Sequence, residues 1–305
     1  MHIAIVGGTG FVGRHLVDAL LAAQHEVTLL VRPGSADRFP GIRRCRVVTG
    51  DVDSRGAIDE ALAGSDAVVY CVGILREFPR QGITFEALQY EGAVRVIDAA
   101  RAAGISRFLL MSANGVDEQL TPYQQTKYRA EEYAKSSGLD ITIFRPSVIF
   151  GDPRGAMEFA TQLYRDMVKP PLPAIGFFTG LNPSAGKVLM SPVHIEDVAD
   201  AFCGALDDAR TIGKTFELGG PQTLSWNEML RHIARVTGRN KWIVPMPIGL
   251  MKVAAALLDW LPFFPVTRDQ LTMLASGNVA AADQLESLIG RKARAFDPES
   301  LAYLR

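Results

Sequence analysis

The chain has 305 residues, 48% of them hydrophobic, with a formal net charge of −1 and three cysteines. It is long enough for one large α/β domain with an appended lobe, too apolar for a disordered chain, and lacks the positive excess that draws a protein to nucleic acid. Cys45, Cys71 and Cys203 are odd in number and without metal-ligand spacing, so they read as core residues of a cytoplasmic protein; no metal site, signal peptide, repeat or bilayer-spanning run is expected.

His2–Val6 is a short apolar run rich in β-branched residues, long enough for a buried strand and too short for a helix. Gly7, Gly10 and Gly13 follow at every third position, and Gly8-x-Gly10-x-x-Gly13 is a second register of the same motif. From Phe11 the pattern is helical, with Phe11, Val12, His15, Leu16, Ala19 and Leu20 sharing a face. Strand, glycine turn and helix together present free backbone N–H groups and a positive helix end to a pyrophosphate. In this reading Gly7 permits the tight turn, Gly10 lets the backbone approach the phosphates and Gly13 lets the helix pack on the strand. Gly8, Thr9, Phe11 and Val12 complete the cofactor turn; a glycine-rich turn without ligand is the alternative.

Glu26–Val31 is the second strand. Dinucleotide folds that choose NAD usually end it with an acidic residue for the ribose hydroxyls, and here Arg32-Pro33-Gly34-Ser35 stands instead. A guanidinium favours a 2′-phosphate, so NADP(H) is expected in preference to NAD(H); the alternative is that Arg32 stacks on adenine or faces solvent. Arg46–Val48 is the third strand. It closes on Thr49-Gly50-Asp51-Val52, where Asp51 is either a partner for the adenine amino group or a turn former. Val52 is counted beside it at the cofactor. A helix over 54–63, with Ser54 as N-cap, leads to the fourth strand, Asp66–Cys71. Its end at Cys71, Val72 and Gly73 would run beneath the dinucleotide, and residues 75–82 read as a loop beside the nicotinamide. A helix over 83–103 and the strand Phe108–Met111 add another βαβ step.

Met111 and Ser112 stand at the carboxyl end of that fifth strand, where open α/β sheets place their ligands. The next helix, over 122–137, carries Tyr123 and Lys127, four residues apart and therefore one turn apart on one face. An ammonium beside a phenol is expected to lower the phenol's pKa from about 10, so that it exchanges a proton with a carbonyl oxygen. Leu139–Phe144 is the sixth strand, and Pro146, Ser147 and Val148 beyond it are counted among the cofactor contacts.

The rest is less regular. Residues 155–168 read as a helix, Pro170-Pro171-Leu172-Pro173 as a break, and 174–187 as a loop or short strands over the site. A helix opens at Val193–Ala199 and runs to about 208. His194 there reads as structural rather than as a catalytic base, because it has no acidic or nucleophilic partner at useful spacing. Ser225-Trp226-Asn227-Glu228 is a capping box at the head of a helix over 226–237. Ile248–Trp260, between proline breaks, is apolar nearly all round: either a helix buried in a C-terminal lobe or a contact surface for a membrane or partner. Thr267-x-x-Gln270 caps a further helix, and Asp297-Pro298-Glu299 starts the last. The expected fold is α/β, a Rossmann-type doubly wound parallel sheet with a small C-terminal lobe. Residues 1–150 form the dinucleotide-binding part and 151–305 mainly the lobe, with 188–218 returning to the sheet.

Gly7-x-x-Gly10-x-x-Gly13, Tyr123-x-x-x-Lys127, Arg145-Pro146-Ser147, Val193–Ala199 and Phe216–Pro221 together resemble the extended short-chain dehydrogenase/reductase superfamily, in its order and over nearly the whole chain. Val72-Gly73-Ile74-Leu75, the short gap from Ser112 to Tyr123, Arg268-Asp269-Gln270 and Asn278-Val279 resemble an atypical branch of it. That branch is the nucleotide-binding accessory subunit of respiratory complex I and its bacterial relatives. The resemblance implies an NADP(H)-dependent oxidoreductase or epimerase acting on a small carbonyl or quinone-like substrate. In it Tyr123 transfers the proton, Lys127 binds the nicotinamide ribose and Ser112 orients the carbonyl. Two positions depart from the superfamily: Asn114 stands where a catalytic Ser or Thr is usual, and Gln89 near a usual Asn. They give weight to the alternative, a non-catalytic NADP(H)-binding structural or redox-sensing factor for a respiratory or quinone-handling membrane system, placed peripherally at the membrane's inner face.

Overall fold

The computed structural model describes residues 1–35, 40–118, 121–180, 182–258 and 268–305, and for 40, 254–258 and 268 the backbone alone. Strand and helix alternate from the start: β1 (His2–Val6), α1 (Phe11–Ala22), β2 (Glu26–Val31), β3 (Arg46–Thr49), α2 (Arg55–Leu62), β4 (Ala67–Tyr70), α3 (Gly92–Ala102), β5 (Arg107–Met111), α4 (Pro122–Ser136) and β6 (Asp140–Pro146). Shorter elements follow: β7 (Ile149–Phe150), α5 (Phe159–Leu163), β8 (Ala174–Phe178), β9 (Leu189–Met190), β10 (Val193–His194), α6 (Ile195–Leu206), β11 (Lys214–Leu218) and β12 (Leu224–Ser225). The chain ends with α7 (Trp226–Val236), β13 (Ile243–Pro247), α8 (Ile248–Leu258), α9 (Arg268–Ser276) and α10 (Asp283–Ile289).

Seven strands form one parallel sheet in the order β11-β6-β5-β4-β1-β2-β3. The order reverses at β1, which lies between β2 and β4, and a ligand crevice opens at such a switch point beyond the carboxyl ends of the strands. The two faces of β1 feed two apolar layers, as the period of two requires. Ile3 and Ile5 pack with Leu16, Val17 and Leu20 of α1 and Val198 and Phe202 of α6. Ala4 and Val6 pack with Ile58 of α2, Val96 of α3 and Ala130 of α4. A third cluster, built on Phe150, Phe177, Trp226, Met229 and Phe296, forms the lobe.

The structure departs from the sequence reading in several places. The helix read over 83–103 begins as a π-helical turn, Glu86–Glu91, before α3. Residues 155–158 are not helical: buried Glu158 accepts the backbone N–H groups of Ala160 and Thr161, so the helix starts at Phe159. Residues 174–178, read as a loop or short strands over the site, are β8, paired in parallel with β13 inside the lobe. Prolines 245 and 247 read as breaks, yet both lie in β13; among the described residues β13 pairs with β8 alone, an edge position where a missing N–H is tolerated. Asp297 heads a turn, its carboxylate accepting the N–H groups of Glu299 and Ser300, and the last long helix is instead α10. The helix expected over Ile248–Trp260 is described to Leu258: Ile248 is buried, while Leu250 and Val253 are exposed. Trp260 and the capping Thr267 lie outside the described residues.

Candidate functional site

The turn after β1 is tight because Gly7 adopts φ +101°, a left-handed value that favours glycine. Its N–H neighbourhood is equally restrictive: a Cβ on Gly7 would lie 2.9 Å from the Cys71 carbonyl carbon, at the end of β4. A Cβ on Gly13 would lie 2.2 Å from Gly7 O and 2.5 Å from Gly8 Cα, so α1 rests directly on the turn. Gly10 differs, since its Cβ would meet only Gly7 O, at 3.3 Å, and its other side is open. Buried Arg14 braces the turn through Nε, which donates to Thr9 O at 2.9 Å. Phe11 stacks edge-on against His15, and Val12 is buried beneath. The turn is thus rigid at both ends and open in its middle, as a backbone cradle for a pyrophosphate must be.

The other strand ends meet the same edge of the sheet. Arg32 is exposed directly after β2. After β3, Asp51 Oδ1 accepts the Val52 N–H at 2.7 Å, and Val52 is buried. Cys71, Val72 and Gly73 leave β4 beside the glycine turn, with Cys71 N–H donating to Val6 O at 2.9 Å. The Cys71 thiol is pushed up to about 12 by its desolvated surroundings and stays protonated at neutral pH.

Helix α4 carries a buried column of side chains at four-residue spacing, Tyr123, Lys127 and Glu131. Its start is fixed by Gln124, whose Oε1 accepts from Thr121 and whose Nε2 donates to Gly115 O at 2.7 Å. Lys127 Nζ donates to Val72 O and Met111 O, both at 3.0 Å, and so joins the ends of β4 and β5. Burial lowers its pKa to about 8 against the opposing influence of Cys71 and Glu131. Tyr123 packs edge-on against Phe85 at 5.7 Å, and burial pushes its phenol up to about 12. The expected depression of the phenol by Lys127 is therefore corrected: the ammonium is turned to two carbonyls, and desolvation governs the tyrosine. Glu131, fully buried, accepts Arg145 Nε at 2.9 Å and Nη2 at 2.6 Å, which locks α4 onto β6.

Ser112 is buried at the end of β5, and its Oγ has no hydrogen-bond partner among the described residues. Asn114, two positions on, turns its amide nitrogen to a late segment of the chain: Nδ2 donates to Asn278 Oδ1 at 2.9 Å and to Val279 O at 3.1 Å. Asn278 is a junction. Its backbone N–H donates to Leu189 O, and its carbonyl accepts from Ser191 N and Ser147 Oγ, each at 2.9 Å. Ser147 lies between Pro146, the last residue of β6, and half-buried Val148, which packs on the lobe. Gln89, buried in the π-helical turn, donates to Ile74 O at 2.8 Å and accepts from Thr126 Oγ1 at 3.1 Å. It ties the segment after β4 to α4. Glu131 had a signal in its i+4 spacing from Lys127; Asn278 and Gln89 had none in spacing, because their partners are distant in the chain.

Two features fit a bound dinucleotide: a cradle in which any Cβ at Gly13 would collide, and a buried hydroxyl at Ser112 left without a partner. Gly7 to Gly13 are the residues that could cradle a dinucleotide's phosphates, and Lys127 and Ser112 are polar groups at the ends of the neighbouring strands. Comparison with known proteins agrees. Residues 7–167 match the family model described as NAD(P)H-binding. A ceramide reductase of Caulobacter vibrioides is 29% identical over 272 residues, covering 84% of this chain and 77% of that protein. The 40 kDa subunit of Neurospora crassa mitochondrial NADH-ubiquinone oxidoreductase is 27% identical over 271 residues, covering 87% and 68%. Among solved structures, MoeE5 in complex with UDP-glucose and NAD superposes with a TM-score of 0.73 at 19% identity, over 100% of this chain and 97% of that one.

Proposed function

The chain belongs to the NAD(P)H-binding family, and on that premise we propose that it is an NADP(H)-dependent oxidoreductase of the reductase/epimerase kind, with Tyr123 as proton donor to a substrate carbonyl. The observation that carries this reading is Ser112: a buried hydroxyl without a partner, next to Met111, whose carbonyl receives Lys127. An orphaned buried hydroxyl costs about 1–3 kcal/mol, so a ligand oxygen that accepts from it recovers that cost.

Bound in the crevice, NADP(H) supplies or accepts a hydride at nicotinamide C4. The chain's own residues do the rest. Arg32 pairs with the 2′-phosphate. Lys127 spends two of its three N–H bonds on Val72 and Met111 and keeps the third for a ribose hydroxyl. Ser112 Oγ donates to the substrate carbonyl oxygen and orients it. Tyr123, protonated until about pH 12, gives its proton to that oxygen as the carbon is reduced, and solvent reprotonates it.

One observation favours a second reading, a non-catalytic NADP(H)-binding factor for a respiratory or quinone-handling membrane system. Asn114, where extended members place a catalytic hydroxyl, is tied to Asn278 and Val279 rather than facing a substrate. The complex I subunit among the relatives supports it too.

Two measurements decide. Calorimetric titration should give NADPH a roughly tenfold to hundredfold tighter affinity than NADH, lost in Arg32→Ala, as a charge-assisted contact of about 1.5–3 kcal/mol requires. In a carbonyl and quinone panel followed by NADPH oxidation, Tyr123→Phe should lower turnover by roughly a hundredfold to ten-thousandfold and leave cofactor affinity within about 1.5 kcal/mol. No turnover of any compound, with NADPH bound tightly, would give the second reading the advantage.

A further inference from the structure

Two of the most exposed large apolar side chains stand together in the lobe. Trp242 is 79% exposed and Leu172 71%, and both line one shallow cavity of about 420 Å³ between the turn 170–173 and the segment 239–242. The surface is built rather than frayed. Ala174 N–H donates to Trp242 O at 2.8 Å, Arg239 Nη1 to Lys169 O at 3.2 Å, and Lys241 Nζ to Pro170 O. Prolines 170, 171 and 173 hold the backbone on either side of Leu172, so its outward placement needs no ordering at contact. Exposed apolar positions continue along the chain, with Val244 on β13 and Leu250 and Val253 on α8.

The charged residues that line the cavity, Arg239 and Lys241, are both basic. Lys169 stands beside them, its carbonyl accepting from Arg239 Nη1. The nearby acid, Asp166, is taken by Arg165 at 2.9 Å. A second copy of the chain is a poor occupant, because a two-fold contact would set this basic surface against itself. We propose that this face docks on an anionic lipid surface. Trp242 sits at the headgroup level, Leu172 enters the acyl boundary, and Arg239, Lys241 and Lys169 meet lipid phosphates. Among the described residues no helix is long and apolar enough to cross a membrane, so the contact is peripheral. The docking face shares no residue with the dinucleotide site and does not depend on the redox reading.

Flotation of the full chain with vesicles tests this, using phosphatidylcholine alone and phosphatidylcholine with roughly one third phosphatidylglycerol. Binding is expected to the anionic vesicles, about tenfold or more weaker to the neutral ones, and to fall as salt is raised. Arg239→Glu with Lys241→Glu should weaken it by at least about 25-fold, since each basic residue near such a surface contributes about fivefold. Lys241 also braces Pro170, so Trp242→Ser with Leu172→Ser, at exposed positions, is the second variant and should weaken binding about tenfold. NADPH titration of the same samples should be unchanged, which reports folding and separates failure here from failure of the cofactor site. No vesicle binding by the intact protein, equal binding to both vesicle types, or equal binding by both variants overturns the proposal. So does capture of an acidic protein by this face without any binding to vesicles.

Discussion

Lys127 and Ser112 are both placed at a cost to the isolated protein, and the costs are measurable. Burial holds Lys127 down to about 8 against 10.5 for an ordinary lysine. Between those values the folded chain binds fewer protons at this site than the unfolded chain, so stability rises with pH through that window and the full penalty is present below about pH 8. Tyr123 acts in the opposite sense higher up: with its phenol held at about 12 against 10, the folded chain keeps a proton that the unfolded chain loses, and stability falls above pH 10. Urea unfolding of cofactor-free protein should therefore show wild type gaining on Lys127→Met from pH 8 to 10, by on the order of 2–3 kcal/mol. A flat difference over that range would mean that the lysine is solvated. Ser112→Ala makes a paired test. It removes a buried hydroxyl without a partner, so cofactor-free stability should hold or rise by about 1–3 kcal/mol while turnover falls. Lost stability in that variant would point to a structural role for Ser112.

The β1–α1 unit separates support of the fold from support of the cofactor, at two glycines three residues apart. A methyl at Gly13 meets backbone, Gly7 O at 2.2 Å and Gly8 Cα at 2.5 Å, and neither can yield without lifting α1 from β1. Gly13→Ala should destabilise the protein by about 1–3 kcal/mol or more and weaken NADPH binding as well. At Gly10 the added methyl meets only Gly7 O, at 3.3 Å, so Gly10→Ala should melt close to wild type yet bind NADPH more than about tenfold more weakly. Thermal unfolding and cofactor titration on both variants check this; a Gly10→Ala protein with full affinity would exclude that turn from the phosphate site. These glycines were legible in the sequence because turn, strand and helix signals coincide within a dozen residues. The same locality made Tyr123 and Lys127 legible on α4, and the capping box on α7. What escaped was non-local. The π-helical turn at Glu86–Glu91 is set by contacts such as Tyr70 Oη to Leu88 O and Gln89 to Ile74 O. β13 is a strand because β8, some seventy residues earlier, offers it an edge, and its prolines disguise it. The phenol's raised pKa depends on the burial of Tyr123, which no spacing reveals.

Across the whole molecule, late segments of the chain complete the layer on which α1 rests. Leu16, Val17 and Leu20 share a core with Val198, Phe202 and Leu206 of α6 and with Leu285 of α10. β11 covers the free edge of β6, pairing Lys214–Leu218 with Thr142–Pro146. Arg107, at the start of β5, donates to Asp140 O at 2.7 Å and to Thr211 Oγ1 at 2.8 Å. Asp197 of α6, fully buried, is held in turn by Arg291 at 2.7 Å and by Arg294. A fragment of residues 1–190 would keep every proposed cofactor contact but lose this cover. Val193, Ile195, Val198, Phe202, Leu206 and Leu218 would be gone, and with about 1.5–3 kcal/mol for each buried side chain the loss is on the order of 10 kcal/mol. That is comparable to the whole stability of a typical domain, about 5–15 kcal/mol. The fragment should therefore show no cooperative urea transition, bind a hydrophobic dye and fail to bind NADPH, while the full chain unfolds with the dinucleotide-binding part and α6 in one step. A cooperative, NADPH-binding fragment would establish instead that the glycine turn and its strands fold on their own, with α6 and β11 as an accessory layer.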